Sequence, residues 1–344
     1  MRAFLFAAVA LASGCVDDHR APKGGTDAGS DNEDCETVDH DVSIRNENDA
    51  EALPQSGCWD LYGKLTIEGS AIKTLSMLGD IRSANDIEIS GTGLTSFDTP
   101  NAVDVWYGAI KINGNQTLTS VGNLSIHDGH VASVLIDQNP KLASFELGGL
   151  DSVDTDLTIT NNAALTAVDI STLETVGGKL TIDFNGALAT VGLGTLTQTN
   201  GVEVMNNSAL TSLHGLPTST VFGDLVIQNN PLLSSVTGLS ALQRIGGNLK
   251  IDSNNALTSL AFIPSTSAMV QGQMVISNNT GITDLGGLSH FNYLGGITVT
   301  GNTNLAYCPA HEVAACVPTY GGTPVISNNK SGTTTNCGSV YWCQ

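Results

Sequence analysis

Basic side chains are scarce in this 344-residue chain: Lys and Arg number 13 against 33 Asp and Glu, for a net charge of −20. That deficit excludes the phosphate-neutralising surface of a nucleic-acid binder and the polybasic patch that adsorbs to anionic lipid. Charged residues of both signs make up only 13%, too little Glu, Lys and Arg to clothe long surface helices. Helical periodicity is nearly absent too, and a stretch such as Thr237 to Ile245 has room for one helical turn at most. Catalytic signatures are missing. There is no HExxH, no GxSxG and no phosphate-binding loop, and Gly192 and Gly194 lack the third glycine and following helix of a dinucleotide fingerprint. No CxxC pair occurs, and no cysteine at all stands between Cys58 and Cys308, so a structural metal site is disfavoured.

What is abundant is Gly, Asn, Ser and Thr in a patterned, moderately apolar chain, which reads as strands and turns rather than disorder. At the N-terminus, Arg2 precedes an apolar run from Ala3 to Ala12, the length of a secretion signal and too short for a lasting membrane helix. The run ends in Ala12-Ser13-Gly14-Cys15, which resembles the lipobox of bacterial lipoproteins, although Leu would be usual where Ala12 stands. That resemblance implies that the Cys15 thiol carries a diacylglycerol and becomes the mature N-terminus. The seven cysteines are an awkward odd number for an exported chain. With Cys15 lipidated, six are left as disulfide candidates: Cys35, Cys58, Cys308, Cys316, Cys337 and Cys343. Their confinement to the two ends suggests staples on terminal caps in an oxidising compartment. Residues 16–34, rich in Asp, Gly, Pro and Ser, read as a tether reaching about 25 Å.

One pattern recurs from residue 41 almost to the end: Leu-x-Ile, an Asn three residues after the Ile, Leu at plus six, and Val or Leu at plus nine. The marker positions are Ile44, Ile67, Ile89, Ile112, Ile136, Ile159, Ile182, Val204, Ile227, Ile251, Ile276, Val299 and Ile326, spaced by 22 to 25 residues and by 27 at the last step. A single repeat offers four or five large apolar side chains, at roughly 1.5–3 kcal/mol each when buried. Ordering its backbone costs roughly 1–2 kcal/mol per residue, so neighbours must stack to close the gap. The expected fold is therefore all-β, a solenoid of about 13 coils with the Leu-x-Ile segments in one parallel sheet. At about 4.8 Å per coil it would be a rod of roughly 60 Å. The expected organisation is a signal peptide over 1–14, lipidated Cys and tether over 15–34, an N-terminal cap with the first coil over 35–63, the repeat solenoid over 64–307, and a cysteine-rich cap over 308–344.

The recurrent asparagines are Asn115, Asn139, Asn162, Asn185, Asn207, Asn230, Asn254, Asn279, Asn302 and Asn329. They read as a structural ladder, each amide bonding backbone at a tight corner and tolerating left-handed geometry. The glycine pairs at 177–178, 246–247, 286–287 and 295–296 read as sharp corners. Surface chemistry is thin. His127 and His130, with Asp128, form the only close histidine pair and can be read as metal ligands, though a solvated polar loop is the commoner meaning. The carboxylates from Asp31 to Asp41 lack the spacing of a calcium loop and read as a solvated, repelling tail. Trp106 and Tyr107 offer a lone contact or a packed corner. The best binding face is expected on the outer side of the Leu-x-Ile sheet, from Thr66 and Glu68 through Thr158 and Thr160 to Thr298 and Thr300.

The opening from Cys35 through Asp49, Leu53 and Cys58 to Gly63-Lys64-Leu65-Thr66-Ile67 resembles the start of a receptor L domain. The later GxLxIxxNxxL units, ending in Asn304-Leu305-Ala306-Tyr307-Cys308, are similar too. Such domains occur in insulin- and growth-factor-receptor ectodomains and in fungal cell-wall proteins. The resemblance implies a right-handed, disulfide-capped, β-helix-like or leucine-rich-repeat-like solenoid that acts by binding or as wall architecture. It carries over no ligand-binding residue, because the shared motif consists of core and corner positions. The expected function is a non-catalytic recognition, adhesion or scaffold module on a bacterial cell envelope, as an outer-membrane lipoprotein. It would touch membrane through the lipid alone, contact a surface protein or glycan, bind no nucleic acid and need no cofactor. The alternatives are a β-helix polysaccharide lyase or hydrolase, for which Lys111 and Lys250 lie far apart, and a purely structural spacer.

Overall fold

The computed structural model describes residues 35–331 apart from 55, 100, 123, 195, 215–219, 261–267, 287, 289–290 and 307–322. Cys15, the signal and tether segments, Gly287, and Cys308, Cys316, Cys337 and Cys343 lie outside the described residues.

The folded unit is a parallel β-solenoid. Alternation along Leu-x-Ile puts both large side chains on one face of an extended segment, and that face is dry: Leu157, Ile159, Leu180 and Ile182 are all fully buried. The markers stack in register from Ile44 to Ile67 and Ile89, through Ile112, Ile136, Ile159, Ile182 and Val204, to Ile227, Ile251, Ile276, Val299 and Ile326. Thirteen rungs stack in this column, and several of the intervals between them, the last most of all, run through undescribed residues. About eleven turns result.

Two further walls complete each coil. The second precedes the marker rung and buries the column Val131, Val153, Val176, Thr199, Val221, Ile245, Val270 and Leu294. The third follows the rung and is shorter, with pairs such as Phe97 beside Val121 and Val168 beside Val191. Helix is limited to short 3-10 turns among the described residues, including Thr237–Leu239 where the sequence leaves room for one turn. Glu47–Ala52 is the longest, closed at its start by a reciprocal Asn46–Asp49 capping box.

The asparagine ladder ties coil to coil. Each amide oxygen accepts the backbone N–H of the ladder residue in the preceding coil, and each amide nitrogen donates to that coil's marker carbonyl. Asn162 Oδ1 accepts from Asn139 N at 3.1 Å while its Nδ2 donates to Ile136 O at 2.9 Å. The same pair of bonds recurs from Asn139 to Asn329. In the third coil Thr92 stands in for the asparagine, its N–H and hydroxyl both donating to Asn115 Oδ1. The left-handed geometry expected of the ladder belongs instead to the residue just before it. Gln138, Asn161, Phe184, Asn206, Asn229, Ser253, Asn278 and Asn328 all have φ between 53° and 60°. That twist turns the following side chain inward, where every amide bond is satisfied.

The glycine pairs also have a different cause from the one expected. Positions 177–178, 246–247 and 295–296 are not left-handed. At all of them except Gly296 the stacked backbones approach too closely for a side chain: a Cβ on Gly246 would lie 2.0 Å from the Phe222 carbonyl oxygen.

The N-terminal end is closed by Trp59, fully buried with its indole N–H donating to Leu78 O at 2.8 Å, and by a disulfide joining Cys35 to Cys58. The bridge closes a loop with a sequence separation of 23, so its loss is expected to cost about 3 kcal/mol. Because solenoid coils are coupled mainly to neighbours, the Cys35→Ser variant should fray the first coils and leave the centre intact. Hydrogen exchange checks this: faster exchange at Thr37 and Val42 with unchanged exchange at Ile182 is the expected result.

Candidate functional site

The outer face of the Leu-x-Ile wall is regular, and its lysines are paired. Lys111 Nζ donates to Glu88 Oε1 at 2.7 Å and Lys64 pairs with the other carboxylate oxygen. Lys179 pairs with Glu203 and Lys250 donates to Gln228. The Glu88 hydrogen bond holds the Lys64 ammonium more firmly protonated than usual, the opposite of what a general base needs. Hydrogen bonds from Lys111 and then Lys64 hold the Glu88 carboxyl below the ordinary glutamate range. A depressed carboxylate contributes stability that is present above its unfolded pKa and is lost as pH falls through the folded one. Urea midpoints are therefore expected to drop on acidification below about pH 4, and Glu88→Gln should flatten part of that drop.

The second wall is different. Between Leu124–Ile126, which pairs back to Val103–Val105, and His130–Val131, which pairs forward to Ser152–Val153, a turn of three residues, His127–Gly129, displaces the strand sideways. Gly129 makes the turn possible: its φ is 74°, and a Cβ would meet the Asp151 carboxylate at 2.5 Å. The displaced segment carries both histidines of the HDGH motif to the surface beside aromatic residues from neighbouring coils. Trp106 stacks flat on His127 with centroids 4.1 Å apart, and Tyr62 meets the Trp106 edge at 6.5 Å. Tyr107 lies 6.4 Å from His127 and 5.9 Å from His130.

Each imidazole is held by a carboxylate. His127 Nδ1 lies 2.8 Å from Asp104 Oδ2, and Ser125 donates to the other Asp104 oxygen. His130 spans Ser152 Oγ at 2.7 Å through Nδ1 and Asp154 Oδ1 at 2.8 Å through Nε2. Tyr107 donates its hydroxyl to Asp128 Oδ2 at 3.0 Å, which raises the phenol pKa and keeps it protonated. The histidines diverge to different carboxylates, and no group of three His, Cys, Asp or Glu able to hold a metal occurs among the described residues.

Local strain singles out the same place. Among the described residues ten non-glycine residues have positive φ, and eight of them immediately precede ladder asparagines; the other two are Tyr107 at 57° and Asp128 at 51°. Among the described residues two buried side-chain polar atoms lack a hydrogen-bond partner, the Trp106 indole nitrogen here and Asn113 Oδ1 on the Leu-x-Ile wall, at a cost of roughly 1–3 kcal/mol each. Departures from local rules that no repeat feature explains tend to mark function.

Beyond His130 the second wall continues as a groove of about 380 Å³, within the range of ligand sites. Its sides include His130, Ser152, Asp154, Gln198, Asn200 and Phe222. Another hollow, of about 530 Å³, lies near Arg45 and Glu68 at the first coils, but those two side chains are spent on each other at 2.6 Å and glycines form much of its lining.

The surface expected to bind, the outer Leu-x-Ile row, is thus the uniform one, while the histidine pair and the Trp-Tyr pair converge on the irregular corner. Trp106 and His127 are 21 residues apart, about one coil, and that spacing was the available signal that they stack. Set against known proteins, the chain matches no family model, no curated protein and no solved structure.

Proposed function

We propose that the protein is a recognition or adhesion module of a bacterial cell envelope, held by an acyl group on Cys15 and binding through the aromatic–imidazole corner and its groove. The observation carrying this reading is that exposed aromatics, paired histidines and unexplained backbone strain coincide beside one cavity on an otherwise repetitive surface. The receptor L-domain resemblance agrees with a binding role, and the acidic surface favours partners that do not depend on a basic patch. Tyr107 is 53% exposed, so Tyr107→Ala should leave the fold intact. Labelled full-length chain bound to intact cells is expected to lose about tenfold in affinity with Tyr107→Ala. Unchanged binding by that variant would count against the corner. Attachment has its own test: incorporation of labelled palmitate should vanish with Cys15→Ser.

A second reading, catalytic, has one specific observation behind it. Ser152, His130 and Asp154 form a hydrogen-bonded nucleophile–base–carboxylate relay on the groove wall. With the imidazole proton on Nε2, Nδ1 can take the Ser152 proton as Oγ attacks an ester carbonyl. Acyl-serine would form with release of the alcohol, and water would hydrolyse it. Recognition is favoured because the orienting carboxylate of Asp154 is 53% exposed, and charge stabilisation is weak in water. A fluorophosphonate probe that labels the wild type and spares Ser152→Ala would reverse that preference.

A further inference from the structure

We infer that the second-wall groove takes a neutral glycan, an uncharged pyranose chain lying along the solenoid axis; this rests on the recognition reading above and names its ligand class. The groove follows the outward positions of the second wall, His130 beside Ser152, then Thr175 and Gln198, each on a successive coil, and reaches Phe222 on the next, the coil of Thr220. At about 4.8 Å per coil, the four steps span roughly 19 Å, room for several consecutive sugars. Exposed rings flank it: Tyr107, against His130, at one end and Phe222 at the other, each 53% exposed. A pyranose offers an apolar C–H face to such rings and a rim of hydroxyls that both donate and accept. Gln198, Asn200 and Thr175 supply matching neutral amide and hydroxyl groups, and Asp154 supplies a carboxylate acceptor.

Charge selects among sugars. No Lys or Arg lines the groove, and the corner adds Asp104 and Asp128 beside the histidines. The nearest cation in the outward column is Arg244, one coil beyond Thr220. Within the groove an acidic polysaccharide would meet the Asp154 carboxylate and no Lys or Arg. A protein segment adding a strand is also disfavoured, because the second wall in the groove is already paired on both sides.

The test is calorimetric titration of the full-length chain with short neutral gluco-, manno- and galacto-oligosaccharides, alongside uronic-acid oligomers of equal length. At least one neutral series should bind, with affinity nearly independent of salt. Phe222→Ala and Gln198→Ala, both at exposed positions, should each weaken it about tenfold without changing the melting curve. Binding of uronic-acid oligomers alone, with steep salt dependence, overturns the inference. So does neutral binding that both variants leave unchanged. Cells that bind the chain while no neutral oligosaccharide does would remove the glycan assignment and leave recognition standing; cell binding that Tyr107→Ala leaves unchanged would remove the corner itself.

Discussion

Asn162→Ala is expected to destabilise the solenoid by about 3–5 kcal/mol, one of the largest single-residue effects in the chain. The substitution removes the acceptor for the Asn139 N–H and the donor for the Ile136 and Thr160 carbonyls. Asn162 and Asn139 are fully buried, so water cannot replace the partner of the Asn139 N–H or of the Ile136 carbonyl, and the desolvation penalty falls on those groups, while the Thr160 carbonyl keeps the Gln138 N–H. Asn162→Asp should be as harmful, since it keeps an acceptor but buries a charge and loses the donor. The neighbouring Asn161 provides the contrast. It is exposed at φ 57°, and its side chain donates to the Asp137 carboxylate. Asn161→Gly, which relieves the left-handed cost of about 1 kcal/mol, is expected to stay within about 0.5 kcal/mol of wild type once the lost surface hydrogen bond is counted. Urea unfolding of the three variants checks the set.

Gly246→Ala is the second large effect, expected at roughly 2–4 kcal/mol. The added methyl would stand 2.0 Å from the Phe222 carbonyl oxygen and 2.9 Å from its carbon. Both are backbone atoms of the preceding coil, locked by the Gly246 N–H bond to Val221 O at 2.8 Å, so no side-chain rotation relieves the clash. The coils must part locally. Hydrogen exchange should therefore quicken on both sides of the junction, at Val221 and Ile245, while rungs several coils away keep their protection. A melting temperature unchanged by Gly246→Ala would mean that the stacked backbones yield more easily than close packing allows.

These two sites also show what could be read from the sequence. The solenoid was legible because the apolar period is nearly constant, and a constant coil length is the condition for Leu-x-Ile segments to meet in register. The asparagine row was legible for the same reason. Its geometry was not: in pairs such as Asn161-Asn162 or Asn229-Asn230 the letters are identical, and only the backbone distinguishes the twisted, exposed residue from the buried amide that follows. Glycines between short segments suggested bends, yet Gly246 is required by distance rather than by dihedral angle. The corner was the hardest to foresee. Tyr62, Trp106, Tyr107 and the HDGH histidines are separated by one to three coils, and only the sideways step at His127–Gly129, an irregularity within the repeat, brings them to one face. A periodic reading averages out such a local exception.

Hydrogen exchange of the full-length chain, free and bound to isolated bacterial envelopes, tests most directly where this molecule makes contact. Protection is expected to rise over residues 106–108, 127–132 and 152–155 and along the groove to Phe222, with the Leu-x-Ile rungs unchanged. Slowed exchange confined to the first wall, at segments such as Leu157–Thr160 and Leu249–Asp252, or no slowing anywhere on bound chain, would contradict the assignment of the irregular corner as the binding surface.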